Sequence, residues 1–245
     1  MFEYLIIVLV LFFIAVLFYK QANEHIEILQ LTSERISELP TLLHEKSPIV
    51  VSNFHIPHLG NEMEMLKRPH ILQATVLPGV QLKEFIKANK GAQLKQETAE
   101  WISKESGLDV WFNQQLFHHL LPSPFTQFFY SFKTSLWPHK KGLFKTTAYQ
   151  TVIMPTQGKA SVSIILLKMM PFLPVVWAGR EFSSLTVNDT PLINQIQFVE
   201  IKVRKGNLLI LPAHLIIDIA TDPEGGEPCW FFMAEVNHPI SRLAK

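Results

Sequence analysis

A single cysteine, Cys229, stands among 245 residues. One thiol forms no intrachain disulfide, so the sequence gives no sign of an oxidising compartment, and a paired-cysteine zinc framework is excluded. Its neighbours Trp230, Phe231 and Phe232 mark it as a buried, inert thiol. Net charge is nearly absent as well. Lys and Arg number 22 against 21 Asp and Glu, a formal +1, so no bulk field draws the chain to nucleic acid. The chain has no G-x-S-x-G elbow, no Walker loop and no G-x-G-x-x-G turn, which removes the common serine-hydrolase, nucleotide and dinucleotide signatures. It has no internal repeat and no low-complexity run. One glycosylation sequon, Asn188-Asp189-Thr190, is followed by Pro191 and carries no information.

Charge, Gly and Pro are all missing from Tyr4 to Tyr19, YLIIVLVLFFIAVLFY. A helix of that composition is apolar on every face and belongs in a protein core or in lipid. Sixteen helical residues rise roughly 24 Å, slightly less than a bilayer's hydrocarbon core, and Phe2 and the stem of Lys20 extend the span. A secretory signal would carry a basic start and a small-x-small cleavage site. Here Glu3 is acidic and Tyr19-Lys20-Gln21 is a poor cleavage context. A core helix is the other alternative, and it lacks the polar face expected at a chain terminus. Residues 1–20 therefore read as a retained, single-pass membrane anchor with the lipid bilayer as partner. Lys20 and Arg35 follow the run and no Lys or Arg precedes it, which favours a cytoplasmic position for the remainder.

Residues 21–245 have room for one large domain or two small ones, and 48% hydrophobic composition with eighteen Phe is ample for a packed core. Glu24 to Leu43 carries Ile26, Leu29, Ile36, Leu39 and Leu43 among charges and predicts an amphipathic helix interrupted or ended at Pro40. Pro48–Val51 and Gln73–Leu77 predict short strands. From Leu82 to Phe129 the pattern is helical, with Gly107 closing one segment and Pro122 and Pro124 another. Strands are expected over Thr146–Met154, Ser161–Leu167, Ile196–Val203, Asn207–Leu211, Leu215–Ala220 and Trp230–Val236. Helices first and strands later predict an α+β protein, with a helical part over about 24–130 and a sandwich or barrel core over about 143–238.

Val203-Arg204-Lys205-Gly206-Asn207-Leu208-Leu209-Ile210-Leu211-Pro212 forms a charged Gly-Asn turn followed by an apolar strand that stops at Pro. It resembles the hairpin of the cupin superfamily, in particular its JmjC-like branch of 2-oxoglutarate oxygenases. Lys141-Gly142-Leu143 through Gly158-Lys159 resembles the strand pair that opens that barrel, and Ser47-Pro48-Ile49-Val50-Val51 resembles the family's early strand. The resemblance spans residues 27–236. It implies a double-stranded β-helix, a jelly-roll barrel that in active members holds Fe(II) with two His and one carboxylate. Carried over by position, the ligand sites fall on Lys145, Thr147 and Ile217, none of which suits the metal. The resemblance therefore implies a degenerate, catalytically inactive domain with no metal and no cofactor. Membrane-anchored, degenerate versions of this kind resemble proteins of large DNA viruses.

His214 and Asp218 are four apart, a metal-like spacing on a helix, but this stretch reads as a strand. If Ile217 faces inward, His214 and Asp218 face outward and are structural. His118-His119 reads as a helix-end or surface pair, and His139-Lys140-Lys141 as a solvated basic turn. Three functions follow. The first is an inactive barrel acting as a structural or interaction module with a protein partner, without nucleic acid. The second is a hydroxylase with displaced ligands drawn from His139, His214 and Glu200. The third is a metal-free ligand-binding barrel whose pocket is Lys145, Thr147 and Tyr149, which share a face if their strand is regular.

Overall fold

The computed structural model describes residues 2–21, 25–88, 93–221 and 229–243. The apolar run forms helix α1, Phe2–Lys20. Its mean hydropathy over Glu3–Lys20 is 2.3, and no part of that window is buried by the rest of the protein. At 1.5 Å per residue it is roughly 28 Å long, enough to cross a membrane by length and composition. Only its last turns touch the domain, where α1 meets the C-terminal helix described below.

The predicted amphipathic helix after it is not formed. Leu29–Thr32 is strand β1, followed by 3₁₀ turns over Ser33–Glu38 and a short helix α2, Leu39–Leu42. The reason is tertiary. Strand β2, Ile49–Ser52, offers a ladder on which Leu29 pairs with Ile49 and Leu31 with Val51, burying Leu31. Pattern is a weak prior when a sheet edge competes for the backbone.

Short helices α3 (Glu62–Leu66) and α4 (Pro69–Leu72) lead into a hairpin of β3 (Thr75–Leu77) and β4 (Val80–Gln81). Helices α5 (Leu82–Ala88) and α6 (Gln96–Ser106) follow. Gly107, at φ 80°, ends α6 in the left-handed conformation that glycine adopts without strain. A run of α7 (Leu108–Trp111), a π-helical turn at Phe112–Leu116 and α8 (Phe117–Leu120) precedes α9 (Pro124–Phe129).

Eight further strands make the sandwich: β5 (Ser131–Pro138), β6 (Lys141–Lys145), β7 (Gln150–Gln157), β8 (Lys159–Leu166), β9 (Phe198–Arg204), β10 (Leu208–Pro212), β11 (Leu215–Thr221) and β12 (Trp230–Asn237), closed by helix α10 (Pro239–Leu243). They form two sheets, ordered β1-β2-β10-β7-β12-β5 and β6-β11-β8-β9. Among these eight, every pairing is antiparallel, and the pairs nest: β5 with β12, β6 with β11, β7 with β10, β8 with β9. The chain thus behaves as one long ribbon folded at β8/β9 and wound into two layers. The sequence pattern misses β5 and begins the strands at Thr146, because the mixed run Ser131-Phe132-Lys133-Thr134 carries no clear alternation.

Between the layers lies part of the main core, including Trp137, Ile153, Ile164, Leu209, Ile217 and Ile219. The helices cover the outer side of the larger sheet, where Trp111 and Phe112 meet the Phe232 ring at 6.2 and 5.8 Å. A second, smaller core covers the other outer side. Leu143, Ile165 and Ile216 pack there under Leu173, Leu185 and Ile196 of the long β8–β9 connection. That connection also pairs with the edge strand β6. Leu143 N donates to Arg180 O at 2.7 Å and Gly179 N to Leu143 O at 2.8 Å.

Candidate functional site

The three positions that the resemblance points to lie on neighbouring segments but face different ways. Ile217 sits opposite Phe144 and is fully buried in the main core. Lys145 sits opposite Ile216, whose side chain belongs to the second core. Directly opposed residues in an antiparallel pair share a face, so Lys145 is on the other face of the sheet from Ile217, and it is exposed. Thr147 is in no strand. The pattern reading runs one strand through Thr146–Met154, whereas residues 146–149 form a break between β6 and β7. Thr146 causes it: its hydroxyl donates to Pro212 O at 2.9 Å and accepts from Leu215 N at 2.9 Å, while its N–H donates to Leu215 O. Convergence of Lys145, Thr147 and Ile217 on one interior space is therefore corrected.

The cation between the sheets is Lys141. Its Nζ contacts Gln96 Oε1 of α6 at 3.2 Å and Met233 Sδ of β12 at 3.7 Å. It lies 4.6 Å from the centre of the Trp137 ring and 4.1 Å from that of Phe144. Groups from both sheets thus enclose an ammonium that is 7% exposed. Loss of hydration pushes its pKa down to about 8, against a smaller opposing pull from Glu235 and Glu100. Reading residues 139–141 as a solvated turn fails here. His139 is half-buried, with Nε2 3.3 Å from Ile86 O and its pKa lowered by burial, and Lys140 pairs with Glu181.

A bulge explains why counting misses Lys141. Three residues of β11, Ile217 to Ile219, oppose four of β6, Phe144 to Lys141. The extra residue reverses parity, so Leu143 points outward while Lys141 points inward. Gly142 sits in the bulge, where an added Cβ would lie 2.5 Å from Gly179 O. The Lys141-Gly142 pair is the one sequence cue, since glycine inside a strand often marks a bulge or a close backbone approach.

On the outer face, Asp218 is 5% exposed. Its Oδ2 accepts from Phe182 N at 3.1 Å and its Oδ1 has no partner. Burial pushes its pKa up to about 6, assisted by Glu181. It lines a groove of about 720 Å³ with Glu181, Glu200, Ser161 and Ser163.

The third locus is the junction with α1. Lys46 Nζ meets Phe18 O and Gln21 O, and lies 3.9 Å above the Phe18 ring. His214 Nε2 is 3.1 Å from Tyr19 O, and the two rings pack edge to face at 5.1 Å. Tyr19 OH donates to Thr147 O at 2.8 Å. Cationic or hydrogen-donating groups at the last carbonyls of a helix answer its negative end. Both Lys46 and His214 adopt left-handed backbone, φ 51° and 68°, uncommon for side chains of this size. A cavity of about 70 Å³ lies here, with Tyr149, Leu166, Pro212 and His214 in its wall. Of the pocket read as Lys145, Thr147 and Tyr149, Tyr149 lines this cavity and Thr147 supplies its carbonyl. Lys145 is near enough to help lower the His214 pKa, behind the larger effect of burial.

The displaced-ligand set does not assemble. His139 contacts Ile86, His214 contacts Tyr19, and Glu200 accepts from Ser161 on the outer groove. Among the described residues no three His, Cys, Asp or Glu side chains form a group suited to a metal ion. His118 and His119 stack at 4.0 Å on α8. Cys229 is buried, and burial pushes its thiol up to about 12.

No family model matches the chain, and no curated protein matches it. Among solved structures it is similar to hydroquinone 1,2-dioxygenase from Sphingomonas sp. TTNP3 with 4-hydroxybenzoate bound, at 12% identity and a TM-score of 0.30. The match spans 46% of this chain and 62% of that one. A likeness at that level carries no argument, so the reading of this chain rests on its own strand order and side chains.

Proposed function

We propose that this chain is a membrane-anchored, cupin-like double-stranded β-helix that has no oxygenase chemistry and works as a structural or interaction module. The nested strand pairing supports the jelly-roll reading, since it is the order that winding one ribbon into two sheets produces. The α1 helix supports the anchor by its length and hydropathy. One observation carries the loss of metal chemistry: the ammonium of Lys141 lies between the sheets, on the strand beside the one that bears the buried Ile217 and opposite Ile219. A fixed cation and a hydrocarbon wall are the reverse of the His and carboxylate donors that Fe(II) requires. The residues present do not fit that metal. The cavity at the α1 junction is smaller than ordinary ligand sites, which disfavours the ligand-binding alternative.

The test is equilibrium dialysis of the purified chain against Fe(II) or Mn(II), followed by metal analysis. The expected result is no stoichiometric metal. One metal per chain, lost in the His214→Ala variant, would overturn the reading.

A further inference from the structure

The strand ends define a face. Ser131 pairs with Asn237, Val236 with Gln150, Gln150 with Pro212, and Ile210 with Ile49, so these positions mark one end of the larger sheet. Leu166 pairs with Leu215 and Ile165 with Phe198 at the same end of the smaller one. Helix α1 joins the domain here, because Gln150, Leu166, Pro212 and Leu215 wall its junction cavity.

Two segments leave the sandwich at this end with apolar side chains in the open. Helix α9 directly precedes β5. Phe125, Phe128 and Phe129, at helical spacings of three and four, are 74%, 84% and 46% exposed. Phe129 packs edge to face with both others, at 5.2 and 5.5 Å. The next residue, Tyr130, fixes α9 beside the junction: its ring meets Tyr149 at 5.5 Å and His238, just before α10, at 4.8 Å. The second segment follows β8 from Leu166 and carries exposed Met170, Val175 and Val176. Exposed Lys20 and Lys145 stand at the same end. The opposite end differs. There Gln157 closes β7 and its side chain accepts from Glu62 N of α3, which exposes only Met63 and Leu66.

We propose that this end is a bilayer-docking face, with the α9 phenylalanines and the Val175-Val176 turn seated in the lipid interface around α1. The occupant is lipid rather than protein because the patch borders the end of the apolar helix: Tyr130, next to α9, meets Tyr149, which walls the α1 junction with Phe18 and Tyr19. Aromatic side chains beside exposed lysines also match the interfacial region of a membrane. The inference rests on the anchor reading of α1.

The test uses the full chain in mixed phosphatidylcholine and phosphatidylglycerol vesicles. Nitroxide labels are placed singly through Leu11→Cys, Leu66→Cys, Phe128→Cys and Val176→Cys; native Cys229 is buried. Collision with lipid-soluble oxygen is compared with collision with a water-soluble nickel chelate. The expected oxygen-to-nickel ratio at positions 11, 128 and 176 is several-fold above that at 66. Label 11 in lipid with 128 or 176 in water would overturn the docking face and leave the anchor standing. Label 11 in water would overturn both. Labels 128 and 176 shielded from both reagents would mean a protein covers the patch, which also overturns the proposal.

Discussion

The two faces of the smaller sheet each bury one charge, and they treat it differently. Inside, Lys141 is held by two ring faces, a sulfur and one amide oxygen. Outside, Asp218 has one backbone N–H and one oxygen with no partner, at the wall of an open groove. The interior solution is closed and polarisable, whereas the outer one is half-finished. Their linkage to pH is opposite in sign. The depressed Lys141 pKa means that the unfolded chain holds the extra proton between about pH 8 and 10.5, so stability rises through that window. The raised Asp218 pKa means that the folded chain holds the extra proton between about 4 and 6, so stability falls through that one. From pH 6 to 8 both costs are present together.

The bulge that creates the contrast is the place to break it. Gly142→Ala puts a methyl against Gly179 backbone, which cannot yield without losing the pairing of β6 to the long connection. A loss of about 2–4 kcal/mol is expected in urea denaturation, and a loss below about 0.5 kcal/mol would refute the close approach.

Lys141→Met keeps the volume and removes the charge. At pH 7 it should stabilise the domain by about 1–3 kcal/mol, with the gain fading by about pH 10 as the wild-type ammonium loses its proton. Destabilisation at pH 7 that persists at pH 10 would show that Lys141 is held by more than the neighbouring rings and amide, and would undo the account of a costly cation.

Asp218→Asn should give a smaller gain at pH 7, about 1–2 kcal/mol, because the amide oxygen still accepts from Phe182 N. The gain should shrink as pH falls from about 6 to 4 and be gone by about pH 3, where the wild-type carboxyl is protonated in both states. A gain that is constant from pH 4 to 8 would place its origin outside the titration.

Much of the fold was legible because burial in a two-sided sandwich writes itself as β-branched runs between turns. The alternation that puts Leu215, Ile217 and Ile219 in the main core and Ile216 and Asp218 outside was readable from Leu215–Ala220. Glu24–Leu43 misled because its helical spacing competed with a parallel pairing to Ile49–Ser52 that no local pattern announces. Lys141 was hidden by a single inserted residue, and the break at Thr146 by hydrogen bonds to a turn some seventy positions away. Both are long-range facts, invisible to a reading that assumes regular strands.

The grip on α1 has a consequence for reach. Lys46 and His214 hold carbonyls within the last turn of the helix, and His25 and Ile26 already wall the same junction. A domain mounted this way has no leash. It does not sweep a volume of solution as a module on a long linker does. With α1 in a bilayer, as proposed, any partner would have to be brought to the domain in the plane of the membrane, so encounter would be governed by lateral crowding rather than by bulk concentration.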